Sequence, residues 1–160
     1  MNTSRPFPSR LVLAALLASG TLVAVAALAK VHASTDAGAP LPQEMRYGAI
    51  SYLTGGAGHD EAAALKAIMD KYPLAIELFE RDRHTRHELY TANALVRIRD
   101  HAGKEIFKAR AEGPFMLVQL EPGAYSMTAT LNERTLHKRD FNVLKGRTTR
   151  EAFVFPAGTD

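Results

Sequence analysis

The sequence predicts a mainly β fold, an antiparallel sandwich of the Greek-key type preceded by one amphipathic helix. Six or seven short segments, in which apolar and polar residues alternate, follow one another at intervals of about ten residues, as in antiparallel sandwiches. Turn residues such as Pro122-Gly123 separate these segments. Only residues 60–72 repeat their apolar side chains with the spacing of a helix.

The net charge of +3 comes from the N-terminal region. Three of the 20 Lys and Arg residues (Arg5, Arg10 and Lys30), and none of the 17 acidic residues, lie in residues 1–33. The rest of the chain is formally neutral, which gives no indication of a nucleic-acid partner. The chain has no cysteine. Disulfides, thiolate metal sites, a cysteine nucleophile and a lipid-bearing cysteine are therefore excluded.

The N-terminal region also has the three parts of a secretory signal peptide. A polar segment with two arginines precedes 19 residues without a charge, 11–29, and a small side chain stands at Ala33. We predict a signal peptide over residues 1–33 with cleavage after Ala33. The alternative is an uncleaved anchor, because such a stretch approaches the roughly 20 residues that span a bilayer. In both cases residues 34–160 lie outside the cytoplasm, in the periplasm or secreted.

The remaining chain divides into three parts. Residues 34–46 are small and contain proline, which predicts a flexible linker. Residues 47–73 are predicted as a strand (47–54), a glycine-rich turn and the helix, which Pro73 prevents from continuing. The apolar stripe of the helix consists of Leu65, Ile68, Met69 and Tyr72.

Residues 74–160 are predicted to form the sandwich domain. The segment 115–120 is mostly apolar, which indicates a central strand buried on both faces. The predicted strands cover residues 74–79, 94–99, 104–111, 115–120, 125–131, 135–143 and 149–155.

Two motifs in this region are similar to a known family. They are Asp100-x-x-Gly103-Lys104 and Leu120-x-Pro122-Gly123-x-Tyr125. Residues 89–156 resemble the carboxypeptidase regulatory-like (transthyretin-like) β-sandwich domains, and 47–72 resemble the opening of small exported proteobacterial proteins that carry such a domain. The resemblance implies a transthyretin-like fold in a mostly accessory or adhesive class of modules. The motif residues build turns and strands, so the resemblance specifies architecture better than activity.

The glycine-rich turn Gly55-Gly56-Ala57-Gly58 stands between a strand and a helix, where phosphate-binding loops occur. No Gly-Lys-Ser/Thr follows it, and Glu61 occupies the position of the third glycine of a dinucleotide-binding motif. Asp60 and Glu61 would also repel a phosphate. We interpret the segment as a structural turn, and no cofactor is predicted.

The segment 81–88 contains the weak metal-site candidates His84 and His87, with Asp82 and Glu88 beside them. Imidazole and carboxylate ligands suit Zn²⁺ or Cu²⁺, and residues 59–61 could add ligands. However, three neighbouring arginines disfavour a cation. A solvated or anion-attracting loop is the favoured interpretation.

No catalytic residue is predicted. The transthyretin-like fold also occurs in hydroxyisourate hydrolases, which resemble one another in a C-terminal Tyr-Arg-Gly-Ser and an active-site His and Arg; His137 and Arg139 are not an adequate substitute. The sequence favours a non-enzymatic exported binding or accessory module, whose partner is an envelope protein or carbohydrate. A periplasmic metal- or small-ligand-binding protein that uses His84 and His87 is the alternative, and a transthyretin-like hydrolase is a remote one.

Overall fold

The computed structural model describes residues 40–160, which form two β-sheets packed face to face with a short helix. In spatial order, sheet A contains β1 (Met45–Tyr47), β2 (Ile50–Gly55), β7 (Phe115–Val118), β3 (Leu74–Arg81) and β10 (Thr149–Phe155), and β4 (Glu88–Tyr90) pairs with the end of β3. Sheet B contains β6 (Glu105–Arg110), β5 (Leu95–Asp100), β8 (Gly123–Leu131) and β9 (Arg134–Val143). The predicted β-sandwich is confirmed. The predicted signal peptide, with Ala33, and linker residues 34–39 lie outside the described residues.

The main core lies between the two sheets. It contains Leu74, Ile76 and Leu78 from β3 and Val96 and Ile98 from β5, all fully buried. In each of these strands the buried residues are two positions apart, as the side-chain period of a strand requires. The alternation in the sequence therefore identifies the inner face of the sandwich.

A second, smaller core covers the outer face of sheet A. The helix α1 (His59–Ile68) and the following 3-10 turn (Met69–Lys71) place Leu65 and Met69 against Ala75 and Leu117. Strands β3 and β7 are consequently buried on both faces. All four residues of β7 are buried, as predicted for this central strand.

The predicted helix is confirmed, but it ends earlier than residue 72. Tyr72 is extended, with φ −106° and ψ 138°, because the ring of Pro73 disfavours the helical conformation in the preceding residue. Arg150 pairs with Asp70 at 2.7 Å and Thr148 donates to the Asp70 carbonyl at 3.0 Å. These contacts attach the end of the helical segment to the start of β10.

Four details of the sheets differ from the predictions. The single strand 47–54 is a hairpin of β1 and β2, because Gly48 adopts φ +60° and turns the chain. Strand β1 begins at Met45, two residues inside the predicted linker. Residues 81–88 close a hairpin between β3 and β4, a strand that was not predicted. Finally, β10 runs parallel to β3, while every other strand pair described is antiparallel.

The two motifs of the resemblance lie at turns of sheet B. Asp100 Oδ1 accepts the backbone N–H groups of Ala102 and Lys104, and Gly103 adopts φ +78° in the β5–β6 turn. Gly123 begins β8 directly after Pro122, and the Tyr125 hydroxyl donates to the Glu121 carbonyl at 2.7 Å. This bond to the backbone four residues upstream resembles the tyrosine corner of β-sandwich domains.

Gly113 provides a sharp test of the packing near the glycine-rich turn. A Cβ atom at this position would overlap the backbone carbonyl of Gly55, which cannot move without displacing β2. We expect Gly113→Ala to lower the free energy of unfolding by about 1–3 kcal/mol, measured by urea denaturation. The matched control is Gly58→Ala, since Gly58 has φ −96° and open space around its Cβ position. Equal stability losses in the two variants would contradict this packing.

Tyr125→Phe tests the hydrogen bond to Glu121. Its loss should cost about 0.5–1.5 kcal/mol of unfolding free energy at neutral pH, whereas Tyr47→Phe should change little. Burial, with smaller effects from Glu121 and Asp100, raises the pKa of Tyr125 above 10.0. The contribution of the neutral phenol is therefore fully present below pH 10 and is lost as the pH rises through the folded-state pKa. The stability difference between wild type and Tyr125→Phe should shrink in that range; a difference that grows would contradict the assignment.

Candidate ligand-binding groove

The outer face of sheet B is polar and strongly basic. Because Val96 and Ile98 of β5 point into the core, Arg97 and Arg99 point outward. The strand register aligns these arginines with outward residues of the neighbouring strands. Arg97 pairs with Lys108 on β6 and Thr128 on β8, and Arg99 pairs with Ser126 on β8.

A shallow groove of about 240 Å³ runs over this face. Its floor contains the small outward side chains of β8, Ser126 and Thr128. Long side chains of the two flanking strands form its walls, Arg97 and Arg99 on one side and His137 and Arg139 on the other. We call these residues the basic groove: Arg97, Arg99, Ser126, Thr128, His137 and Arg139; parts of Met127 and Lys138 also line it.

The charge of this face is poorly balanced by neighbouring carboxylates. On the outward positions of β5, β6 and β8 the one acidic side chain is Glu105, which lies opposite Arg99 and pairs with Arg97 at 3.5 Å; β9 adds the exposed Asp140 next to Arg139. Within residues 40–160, the other basic residues of the face make no salt bridge; these are Arg99, Lys108, Arg110 and Arg139. A chain that is neutral beyond residue 33 thus concentrates positive charge on one face.

This arrangement is unfavourable for folding. Arg97 and Lys108 stand directly opposite each other on adjacent strands, and like charges in that position repel. The repulsion is not imposed by the fold, because Thr130 and Thr135 occupy outward positions of the same sheet and hydrogen-bond at 2.9 Å.

The glycine-rich turn has a structural role in the described fold. The Glu61 carboxylate accepts the backbone N–H of Gly56 at 2.7 Å. A carboxylate thus holds the N–H that a phosphate-binding loop would present to its ligand. Gly55 and Gly56 adopt φ +156° and +89°, and a side chain on Gly56 would overlap the ring of Phe115.

His84 and His87 lie on the exposed loop between β3 and β4. Asp82 organises this loop: its Oδ1 accepts the N–H groups of His84 and Thr85 at 2.9 and 2.6 Å and the Thr85 hydroxyl at 2.8 Å. These bonds lower the pKa of Asp82, the largest effect coming from the Thr85 N–H. Within residues 40–160, no group of three His, Asp or Glu side chains is arranged to hold a metal.

The basic groove was not predicted as a site. His137 and Arg139 were considered only as substitutes for a hydrolase set, and the structure places them opposite Arg97 and Arg99 across β8. A signal was present in the sequence. Basic side chains stand two residues apart in three of the predicted strands: Arg97 and Arg99, Lys108 and Arg110, His137 and Arg139.

Comparisons with known proteins do not assign a family. No protein-family model matches the chain, and no curated protein matches its sequence. Among solved structures, it is similar to a Bacteroides uniformis protein proposed to bind carbohydrate, with 14% identity and a TM-score of 0.33. That similarity covers 53% of this chain and 41% of the other protein. The carboxypeptidase regulatory-like assignment stays a prediction.

Between residues 40 and 160, no helix has both the length and the apolar character needed to cross a bilayer.

The repulsion on the outer face of sheet B can be measured directly. Lys108→Glu replaces the Arg97–Lys108 repulsion by an attraction, and we expect it to raise the midpoint of thermal unfolding by about 1–3 °C. Lys145→Glu, on the exposed turn after β9, makes the same charge change away from this face. If both variants melt alike, or Lys108→Glu melts lower than wild type, the outer face is not electrostatically strained.

Proposed function

We propose that the chain is an exported, non-enzymatic binding module of the cell envelope and that it binds anionic ligands in the basic groove. The observation that carries the proposal is the convergence of Arg97, Arg99, His137 and Arg139 around a floor of hydroxyl side chains. Guanidinium groups donate paired hydrogen bonds to carboxylate, sulfate or phosphate groups, and such charge-assisted bonds are about twice as strong as neutral ones.

The position of the groove supports a binding role. Its residues lie on the central strand β8 and on the two strands that pair with it, β5 and β9. Sites on rigid strands hold their polar groups more accurately than sites on loops, so less conformational freedom is lost on binding. Export is supported by the predicted signal peptide.

A charge-reversal experiment tests this proposal. The probe is dextran sulfate, with uncharged dextran as the matched polymer, and binding is measured by isothermal titration calorimetry. The variant Arg99→Glu/Arg139→Glu should bind dextran sulfate at least about tenfold more weakly than wild type, a change of about 1.4 kcal/mol or more. The control Lys145→Glu/Arg147→Glu makes the same charge change on the exposed turn after β9 and should bind like wild type.

Two results would contradict the proposal. Wild type that does not bind dextran sulfate more tightly than dextran would exclude an anion site. Equal losses in the groove variant and the control would show that net charge, and not the groove, attracts the polymer. Circular dichroism and thermal unfolding of all three proteins verify that the folded state is retained.

A further inference from the structure

We propose that the protonation of His137 regulates the basic groove, so that the groove binds anions more tightly at mildly acidic pH than at alkaline pH. This inference rests on the proposed anion-binding function and adds the regulation of that site. It is carried by the place of His137 in the groove, by the pairing of the arginine opposite it, and by the types of charged side chain that surround it.

The strand register places His137 and Arg97 at the two ends of one row across the groove. Thr128 on the floor lies directly opposite Arg97 of β5 and directly opposite His137 of β9. Neighbouring strands lie about 4.8 Å apart, so the two ends of the row are about 10 Å apart at the backbone. An anionic group bound over Thr128 therefore lies beside both side chains.

The charge of this row depends on His137. Arg97 pairs with the Glu105 carboxylate at 3.5 Å, which offsets the positive charge at that end of the row. His137 is exposed and makes no salt bridge with any residue between 40 and 160. The row therefore presents more positive charge to a ligand when the imidazole of His137 is protonated.

Histidine is the type of side chain whose charge changes near neutral pH. Arginine and lysine ordinarily stay protonated, and carboxylates stay ionised, between about pH 5.5 and about pH 8, whereas the ordinary titration range of histidine lies within that interval. His137 is the one histidine among the residues that line the groove. The other charged side chains around it on β5, β6 and β9 are arginines, lysines and carboxylates: Arg97, Arg99, Glu105, Lys108, Lys138, Arg139 and Asp140.

Protonation and binding are linked in both directions. The imidazolium form of histidine is positively charged and donates from both ring nitrogens, so the affinity for an anion rises as the pH falls. By reciprocity, a bound anion favours the protonated form, and binding near neutral pH takes up a proton. Arg99 and Arg139 keep their charge throughout, so the groove still binds anions at alkaline pH, but less tightly.

Calorimetry with dextran sulfate at about pH 5.5 and about pH 8, at one ionic strength, tests the inference. The sulfate groups of this probe stay ionised at both pH values, so a change in affinity comes from the protein. His137→Gln removes the titrating group, and His137→Lys supplies a charge at both pH values. The control His84→Gln/His87→Gln removes two exposed histidines from the loop between β3 and β4, away from the groove.

We expect wild type and the control to bind dextran sulfate about three- to tenfold more tightly at the lower pH. His137→Gln should match wild type within about twofold at the higher pH and should lose most of the increase at the lower pH. His137→Lys should bind at both pH values about as tightly as wild type does at the lower one. Titrations near neutral pH, in buffers of different ionisation enthalpy, should show proton uptake by wild type and the control but not by the two His137 variants.

The outcomes that overturn the inference are distinct from failure of the proposed function. If wild type binds dextran sulfate with the same affinity at both pH values, the groove binds anions without this regulation. If His137→Gln keeps the wild-type ratio of affinities, or the control loses the ratio to the same extent, other groups or the net charge cause the pH dependence. If wild type binds dextran sulfate at neither pH, the proposed function fails, and the inference fails with it.

Discussion

The packing of Val96, Ile98, Met127 and Ala129 against sheet A determines the direction of the other side chains in sheet B. A shift of one residue in any of these strands would move its apolar side chains into water, so the register is strongly fixed. The residues between them must then point outward, and the pairing of β5, β8 and β9 places them side by side. The basic groove is thus held in place by the hydrophobic core beneath it.

The two sheets use their outer faces differently. Sheet A buries part of its outer face under α1, where Leu65 and Met69 contact Ala75 and Leu117. In the described part of the chain, no helix packs on the outer face of sheet B. Its central residues Ser126 and Thr128 are only partly exposed because the longer side chains of β5 and β9 rise beside them. The outer face of sheet B is therefore open to solvent. Side chains of β5 and β9 flank its centre, and the hydrophobic core lies beneath it.

The sequence contains enough local information to predict the sandwich, the helix and the buried central strand, because each depends on the spacing of apolar residues within one segment. Pairing depends on contacts between distant segments. The parallel alignment of β10 with β3 joins Thr149 to Leu74, and nothing local to either strand specifies it. The groove was missed for the same reason: its residues come from three strands, and β5 pairs with β8 although β6 and β7 lie between them in the sequence. In addition, residues 34–160 have no net formal charge, and this sum does not reveal that the basic side chains gather on the outer face of sheet B.

An anionic ligand would resolve the conflict between charge and stability on the outer face. Arg97 and Lys108 lie opposite each other on adjacent strands, and the one carboxylate beside them, Glu105 at 3.5 Å from Arg97, offsets only one of these positive charges. A polyanion that binds only the folded protein stabilises it by mass action, and it also reduces this repulsion. The repulsion in the free protein then adds to the driving force for binding.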